Sequence, residues 1–115
     1  MNNGIKADHS KIDPTIIPVK SLLAIAVAMM YGEQKYARNN HKLVTNGLNR
    51  FTRAAYRHLL DHVEGLEHGK IAIDKESGLP HLAMAGANIV IAMCHTKLDP
   101  YKMLKAMKKV KSKIK

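Results

Sequence analysis

Residues 80–96 read PHLAMAGANIVIAMCHT, and this stretch decides the fold. Pro80 suits the first turn of a helix. After it, Leu82, Ala83, Ala85, Ala87, Ile89, Val90, Ala92 and Met93 leave almost no polar face. A helix that is apolar nearly all round belongs at the centre of a domain, so the spacing predicts a central helix from Pro80 to about Thr96. Ala83, Gly86, Ala87 and Ala92 are small enough to let a neighbouring helix approach closely. Asn88 stands out as polar within it and needs either a buried hydrogen-bond partner or a cavity.

Working outward, the pattern gives three more helices. Leu22, Leu23, Ile25, Ala26, Met29 and Met30 give a broad apolar face to a first helix from about Pro18 to Lys35. Tyr36 to Gly47 is polar and reads as a loop or broken helix. Asn49 is the expected cap of a second helix ending near Gly65 or Gly69, with Leu48, Phe51, Ala55, Leu59 and Val63 on one stripe. Ile71 and Ile73 mark a short extended piece or pin a loop to the core. Asp99-Pro100 is an N-cap and N1 pair for a fourth helix, whose Met103, Met107, Val110 and Ile114 share a face opposite lysines. The fold class is all-α, a compact four-helix bundle. The chain is one domain, 1–115, with a core of about 14–97 and a lysine-rich C-terminal helix at 99–115.

Composition agrees with a helical domain. One Phe, four Tyr and no Trp leave the core to Leu, Ile, Val, Met and Ala, which suits helices better than a sandwich. The single Cys94 excludes an internal disulfide and a Cys-based zinc site, and its apolar neighbours predict a buried thiol in a reducing compartment. The N-terminus is polar, with no signal-peptide pattern, and the first apolar run, Leu22–Met30, is too short to span a bilayer. A cytoplasmic location is expected. The net charge of +10 is uneven: residues 97–115 hold eight Lys and one acid, whereas the first 96 hold eleven Lys or Arg against eight acids.

Two regions carry residues suited to chemistry. On the second helix His58, Asp61 and Glu64 recur at i,i+3 beside a ladder of Arg50, Arg53 and Arg57. Carboxylates so spaced can hold Mg²⁺, and arginines grip phosphate oxygens; a solvated helix face has the same pattern. Asp74 and Glu76 precede His81, which opens the central helix, and Asn88 shares its face two turns on. Lys35, Tyr36, Arg38, Asn39 and Asn40 form a polar cluster that could contact phosphate or base, or simply cap a helix end. Among nucleotide and protease motifs, the P-loop, the Rossmann glycines, the zincin helix and G-x-S-x-G are missing.

Three segments together resemble a phage-associated family, the dATP/dGTP diphosphohydrolase N-terminal domain, thought to be akin to MazG-like nucleotide pyrophosphohydrolases. They are Gly32-Glu33-Gln34-Lys35-Tyr36 with Asn40, Arg57-His58-Leu59, and Asp74-x-Glu76-Ser77-Gly78-Leu79-Pro80-His81-Leu82 with Ala85 and Asn88. The similarity spans about residues 10–95. It departs from the family pattern at Lys70 and Met84. The resemblance implies a MazG-like bundle that forms a homo-oligomer, most simply a C2 dimer, in the cytoplasm of an infected bacterial host if phage-encoded. It implies metal-dependent cleavage of purine deoxynucleoside triphosphates to the monophosphate and pyrophosphate, with Mg²⁺ or Mn²⁺. Lys35, Tyr36, Asn40, Arg53, Arg57 and Asn88 would bind nucleotide; Asp61, Glu64, Asp74 and Glu76 would serve the metal; His58, His81 and Asp74 would serve catalysis.

Two other readings use different residues. The lysine-rich helix could bind nucleic acid through the phosphate backbone, in a salt-dependent, sequence-blind way. Alternatively, the departures at Lys70 and Met84 leave a silent member that binds a nucleotide or a host protein without turnover.

Overall fold

The computed structural model describes residues 11–114, with side chains to residue 110. Residues 1–10 of the polar lead, and the side chains of Lys111, Lys113, Ile114 and Lys115, lie outside the described residues. Asp13 accepts a hydrogen bond from the Thr15 amide at 3.0 Å and opens a 3-10 turn, Pro14–Ile16. Four helices follow: α1 Val19–Lys35, α2 Gly47–Glu67, α3 His81–Cys94 and α4 Pro100–Ile114. A 3-10 turn, Asn40–Leu43, breaks the polar stretch between α1 and α2. The chain is all-α; the only β feature among the described residues is an isolated bridge between Ile73 and Pro80.

The central position of α3 follows from its small residues. It packs along α2 and, on another side, against α1, while among the described residues α4 makes no extensive contact with any other helix. Ala85, Ala87 and Ala92 of α3 are buried with Ala28 of α1 and Ala55 of α2. A Cβ added to Gly86 would lie 3.2 Å from Ile25 of α1, so α1 and α3 approach closely there. Close approach through small residues makes a thin core. The large apolar side chains expected to fill that core lie around its rim: Leu22, Leu23, Val27 and Met30 of α1 and Leu82, Ile89 and Met93 of α3 are exposed in the single chain.

Cys94 is exposed rather than buried, because it sits at the last turn of α3 where neither α1 nor α2 covers it. Asn49 does not cap α2. The helix starts at Gly47, and the Asn49 carboxamide oxygen accepts from Arg53 Nε at 3.0 Å instead. The reason is tertiary: the His95 ring lies against Gly47, leaving no space for a Cβ, and stacks on Phe51 at 5.6 Å. His95 Nε2 also lies 2.8 Å from the His41 carbonyl, tying the end of α3 to the turn before α2. Asp99 does cap α4, its carboxylate accepting from the amides of Tyr101 at 3.0 Å and Lys102 at 3.3 Å.

The end of α2 sets up the loop that follows. Gly69 takes φ +70°, Lys70 N–H donates to the Gly65 carbonyl at 3.0 Å, and Gly69 N–H donates to the Leu66 carbonyl at 3.0 Å. These paired bonds end the helix and turn the chain back. The returning strand then passes so close that a Cβ on Gly65 would meet Ala72 Cβ at 2.8 Å and the Ala72 amide nitrogen at 3.0 Å. Replacing Gly65 by Val destabilises the domain by about 1–3 kcal/mol through overpacking. Gly32→Ala, with nothing within 4 Å of the added carbon, stabilises it by up to about 1 kcal/mol of helix propensity. Thermal melts of the two variants move in opposite directions; equal shifts would contradict this packing.

Candidate metal centre and cleft

The segment Ala72–His81 is a closed loop that aims Asp74. Asp74 N–H donates to the Leu79 carbonyl at 2.7 Å, Gly78 N–H to the Asp74 carbonyl at 2.8 Å, and His81 N–H to the Ala72 carbonyl at 3.0 Å. Gly78 at φ +77° supplies the left-handed turn this closure needs. Inside the loop, one Asp74 carboxylate oxygen, Oδ2, accepts from the Ser77 amide at 2.9 Å and the Ser77 hydroxyl at 2.6 Å. The Asp-x-Glu-Ser-Gly-Leu-Pro-His signature is therefore a device that fixes one carboxylate beside the first residue of α3.

His58 of α2 meets that carboxylate and His81 from the other side. The two Nδ1 atoms are 2.8 Å apart, and ligand atoms of His58, Asp74 and His81 all lie within 4.8 Å of one another. All three residues are half-buried. Two imidazole nitrogens and a carboxylate oxygen that converge, with the carboxylate held by a Ser hydroxyl and amide behind it, form a set that can take a metal ion. Asp61 stands at the edge, its Oδ2 3.8 Å from His81 Nδ1. Glu64 is one turn further on α2 and borders the adjoining concavity with Asp61 and His68.

Glu76, two residues after Asp74, turns away to α1. Its Oε1 accepts from Lys35 Nζ at 2.5 Å and from the Tyr31 hydroxyl at 3.1 Å. The Lys35 bond holds the Glu76 carboxyl below its usual range, and the same bond raises Lys35. Lys35 Nζ also lies 5.2 Å from the Tyr36 ring centre. Neither Tyr31 nor Ser77 was assigned a role from sequence. Tyr31 carries a usable signal, since it stands one helical turn before Lys35 on the same face.

Burial, reinforced by neighbouring His81, pushes His58 below its ordinary 6.5. Burial alone would raise the Asp74 carboxyl, but the Ser77 bonds and the two imidazoles outweigh it and leave it below its ordinary 3.8. Both shifts weaken the metal-free protein in acid. As pH falls below 6.5, the unfolded chain takes up a proton at this histidine more readily than the folded one. The Asp74 contribution is present above 3.8 and is lost as pH falls through its lower folded value. Melting temperature in chelator therefore drops between about pH 7 and about pH 5, and His58→Asn flattens that slope. An unchanged slope in the variant would count against the buried histidine pair.

The cluster opens into a cleft of about 1000 Å³ walled by α1, α2, α3 and the Asn40 turn. That is the upper end of the size range of small-molecule sites, roughly 300–1,000 Å³. Lys35, Tyr36, Asn40, Arg53, Arg57 and Asn88 all line it, as do His58, Asp74 and Glu76. Asn88 donates to the Met84 carbonyl at 2.8 Å, one turn back on α3, so it does not bridge two helices. Arg57 makes no ion pair among the described residues, although it adds to the positive field at His58. Arg50, Phe51 and His41 line the same cleft without having been singled out as its binding residues. No described residue of α4 does.

A convergent His-His-Asp set at one end of a cationic cleft, in an all-α domain, supports a metal-dependent hydrolase in general. The chain belongs to the family described as dATP/dGTP diphosphohydrolase, N-terminal, whose model matches residues 1–104. No curated protein and no solved structure matches the chain. No helix among the described residues is long and apolar enough to cross a membrane.

Proposed function

We propose that the chain hydrolyses purine deoxynucleoside triphosphates to the deoxynucleoside monophosphate and pyrophosphate, in the cleft between α1, α2 and α3. The observation that carries this reading is a cleft that reaches His58 and Asp74 of the His58–Asp74–His81 cluster and is lined by the cations Lys35, Arg53 and Arg57. The family description names the purine deoxynucleotides.

In the reaction, a water oxygen bonds to the α-phosphorus and the bond from that phosphorus to the α–β bridging oxygen breaks. Pyrophosphate leaves with the electron pair, and the water's protons pass to solvent. His58, Asp74 and His81 would hold a divalent cation, which would supply polarisation of a phosphate oxygen and acidification of water. Arg53, Arg57 and Lys35 neutralise charge that grows on the leaving pyrophosphate. Glu76 holds Lys35 in place, and Ser77 holds Asp74. Asp61, at the edge of the cluster, is placed to accept a proton from the attacking water or to complete the metal's ligands. Glu64 extends that acidic side. Tyr36, Asn40 and Asn88 remain for the nucleoside.

The active form is a homo-oligomer in this reading. The apolar rims of α1 and α3 left bare by the single chain support it, because contiguous apolar exposure of this kind marks association surfaces.

The test is product analysis over all eight common nucleoside triphosphates with each of several divalent ions. dATP and dGTP yield monophosphate and pyrophosphate. Binding of nucleotide with no cleavage under any metal would replace this reading with the silent one.

A further inference from the structure

We infer that the cluster is built for a borderline transition-metal ion, of the Fe²⁺, Co²⁺, Ni²⁺ or Zn²⁺ class, and that Mg²⁺ does not fit it. The inference rests on reading the cleft as a metal-dependent site.

The donor set is the first argument. Two of the three converging ligands are imidazoles and one is a carboxylate. Mg²⁺ is a hard ion that takes oxygen ligands and keeps its waters, whereas imidazole suits later first-row ions. A Mg²⁺ site here would require more carboxylates, and one of the two neighbouring acids is drawn away. Glu76 is occupied by Lys35 and Tyr31 on α1. Even with Asp61, whose Oδ2 lies 3.8 Å from His81 Nδ1, the set holds no more carboxylates than imidazoles.

Geometry is the second argument. Two nitrogens bound to one ion at about 2.1 Å and at right angles to each other sit about 3.0 Å apart. The His58 and His81 Nδ1 atoms are 2.8 Å apart. Their separation is thus close to that of adjacent ligands of a single ion, which would take the place of the hydrogen bond between them.

Preparation of the ligands is the third. Asp74 is oriented by two hydrogen bonds to one of its oxygens, Oδ2, the outer-shell support that metal-ligating carboxylates receive. Asp61 adds negative charge beside His81 without displacing it.

The experiment is titration of the metal-free full chain with Co²⁺, Mn²⁺ and Mg²⁺ separately, by calorimetry and, for Co²⁺, by its visible absorption. Co²⁺ binds at least about 100-fold more tightly than Mg²⁺, as imidazole ligation requires. His58→Ala and His81→Ala each weaken Co²⁺ by more than about 10-fold and change its spectrum, while Glu67→Gln leaves both unchanged. Should the alanine variants not fold, Mn²⁺ added to the wild-type protein broadens the imidazole NMR signals of His58 and His81 before those of any other histidine. Equal affinity for Mg²⁺ and Co²⁺, or broadening that spares both histidines, would overturn the inference. Tight Co²⁺ binding at the histidines without cleavage of any triphosphate sinks the hydrolase reading and leaves this one standing. Turnover in Mg²⁺ with Co²⁺ binding indifferent to both histidines does the reverse.

Discussion

Asp74→Asn lowers pyrophosphate release from dGTP by more than about 100-fold, since even outer-shell partners of a metal ligand are worth 10–100-fold. The substitution is close to isosteric. The Ser77 amide and hydroxyl both donate to Asp74, and a carboxamide oxygen accepts them too, so the closed loop from Ala72 to His81 survives. What disappears is the one carboxylate charge among the three converging ligands. The expected pattern is therefore a collapse of turnover and of metal affinity in a protein that still folds, its melting temperature at neutral pH modestly lowered by loss of the stabilised carboxylate. Ser77→Ala, which frees the carboxylate without removing it, costs less, about 10-fold or more. If Asp74→Asn retained more than a third of wild-type turnover, Asp74 would be a loop-forming residue only.

Arg57→Ala is the second large loss, about 100-fold in turnover, the cost of removing one charge-stabilising donor from a pre-organised site. Arg57 lines the cleft one residue before His58 and makes no ion pair among the described residues. Lys35 is already engaged by Glu76 and Arg53 by Asn49, so Arg57 has the most freedom to follow a phosphate. A loss confined to KM would mean that Arg57 holds substrate and transition state alike. Arg57→Lys restores part of the rate, because it returns the charge without the planar fork that grips two oxygens. Steady-state kinetics of the three proteins on dGTP separate these effects. Arg57→Ala with wild-type kinetics would place the phosphates elsewhere.

The sequence shows the helices more plainly than the site. α3 was legible because its composition leaves no polar face, and α4 because Asp99-Pro100 opens an amphipathic repeat. The start of α2 was not, because His95, nearly fifty residues later, decides it by lying against Gly47. Nor was the thin core: small residues on facing helices predict close approach, but not that Leu22, Leu23 and Met93 stay at the rim.

The metal ligands show the same division. Spacing along α2 put His58, Asp61 and Glu64 on one face, a local inference. The set the structure assembles takes His58 from α2, Asp74 from the loop and His81 from α3, and no periodicity relates them. The pairing of Glu76 with Lys35 spans 41 positions, so nothing local could show that this acid faces α1 rather than the cluster. The signature around Asp74 was visible as residues, and its mechanical meaning appears only with the closing bond from His81 to Ala72.

The central claim is that one cleft holds both the metal and the triphosphate. Anomalous diffraction from crystals grown with Mn²⁺ and a non-hydrolysable α,β-imido analogue of dGTP tests it most directly. The account predicts a single strong manganese peak bounded by His58, Asp74 and His81, with the analogue's α-phosphate against it and Arg57 on its phosphate tail. Manganese held only by Asp61 and Glu64, or a nucleotide seated outside the cleft, would contradict it.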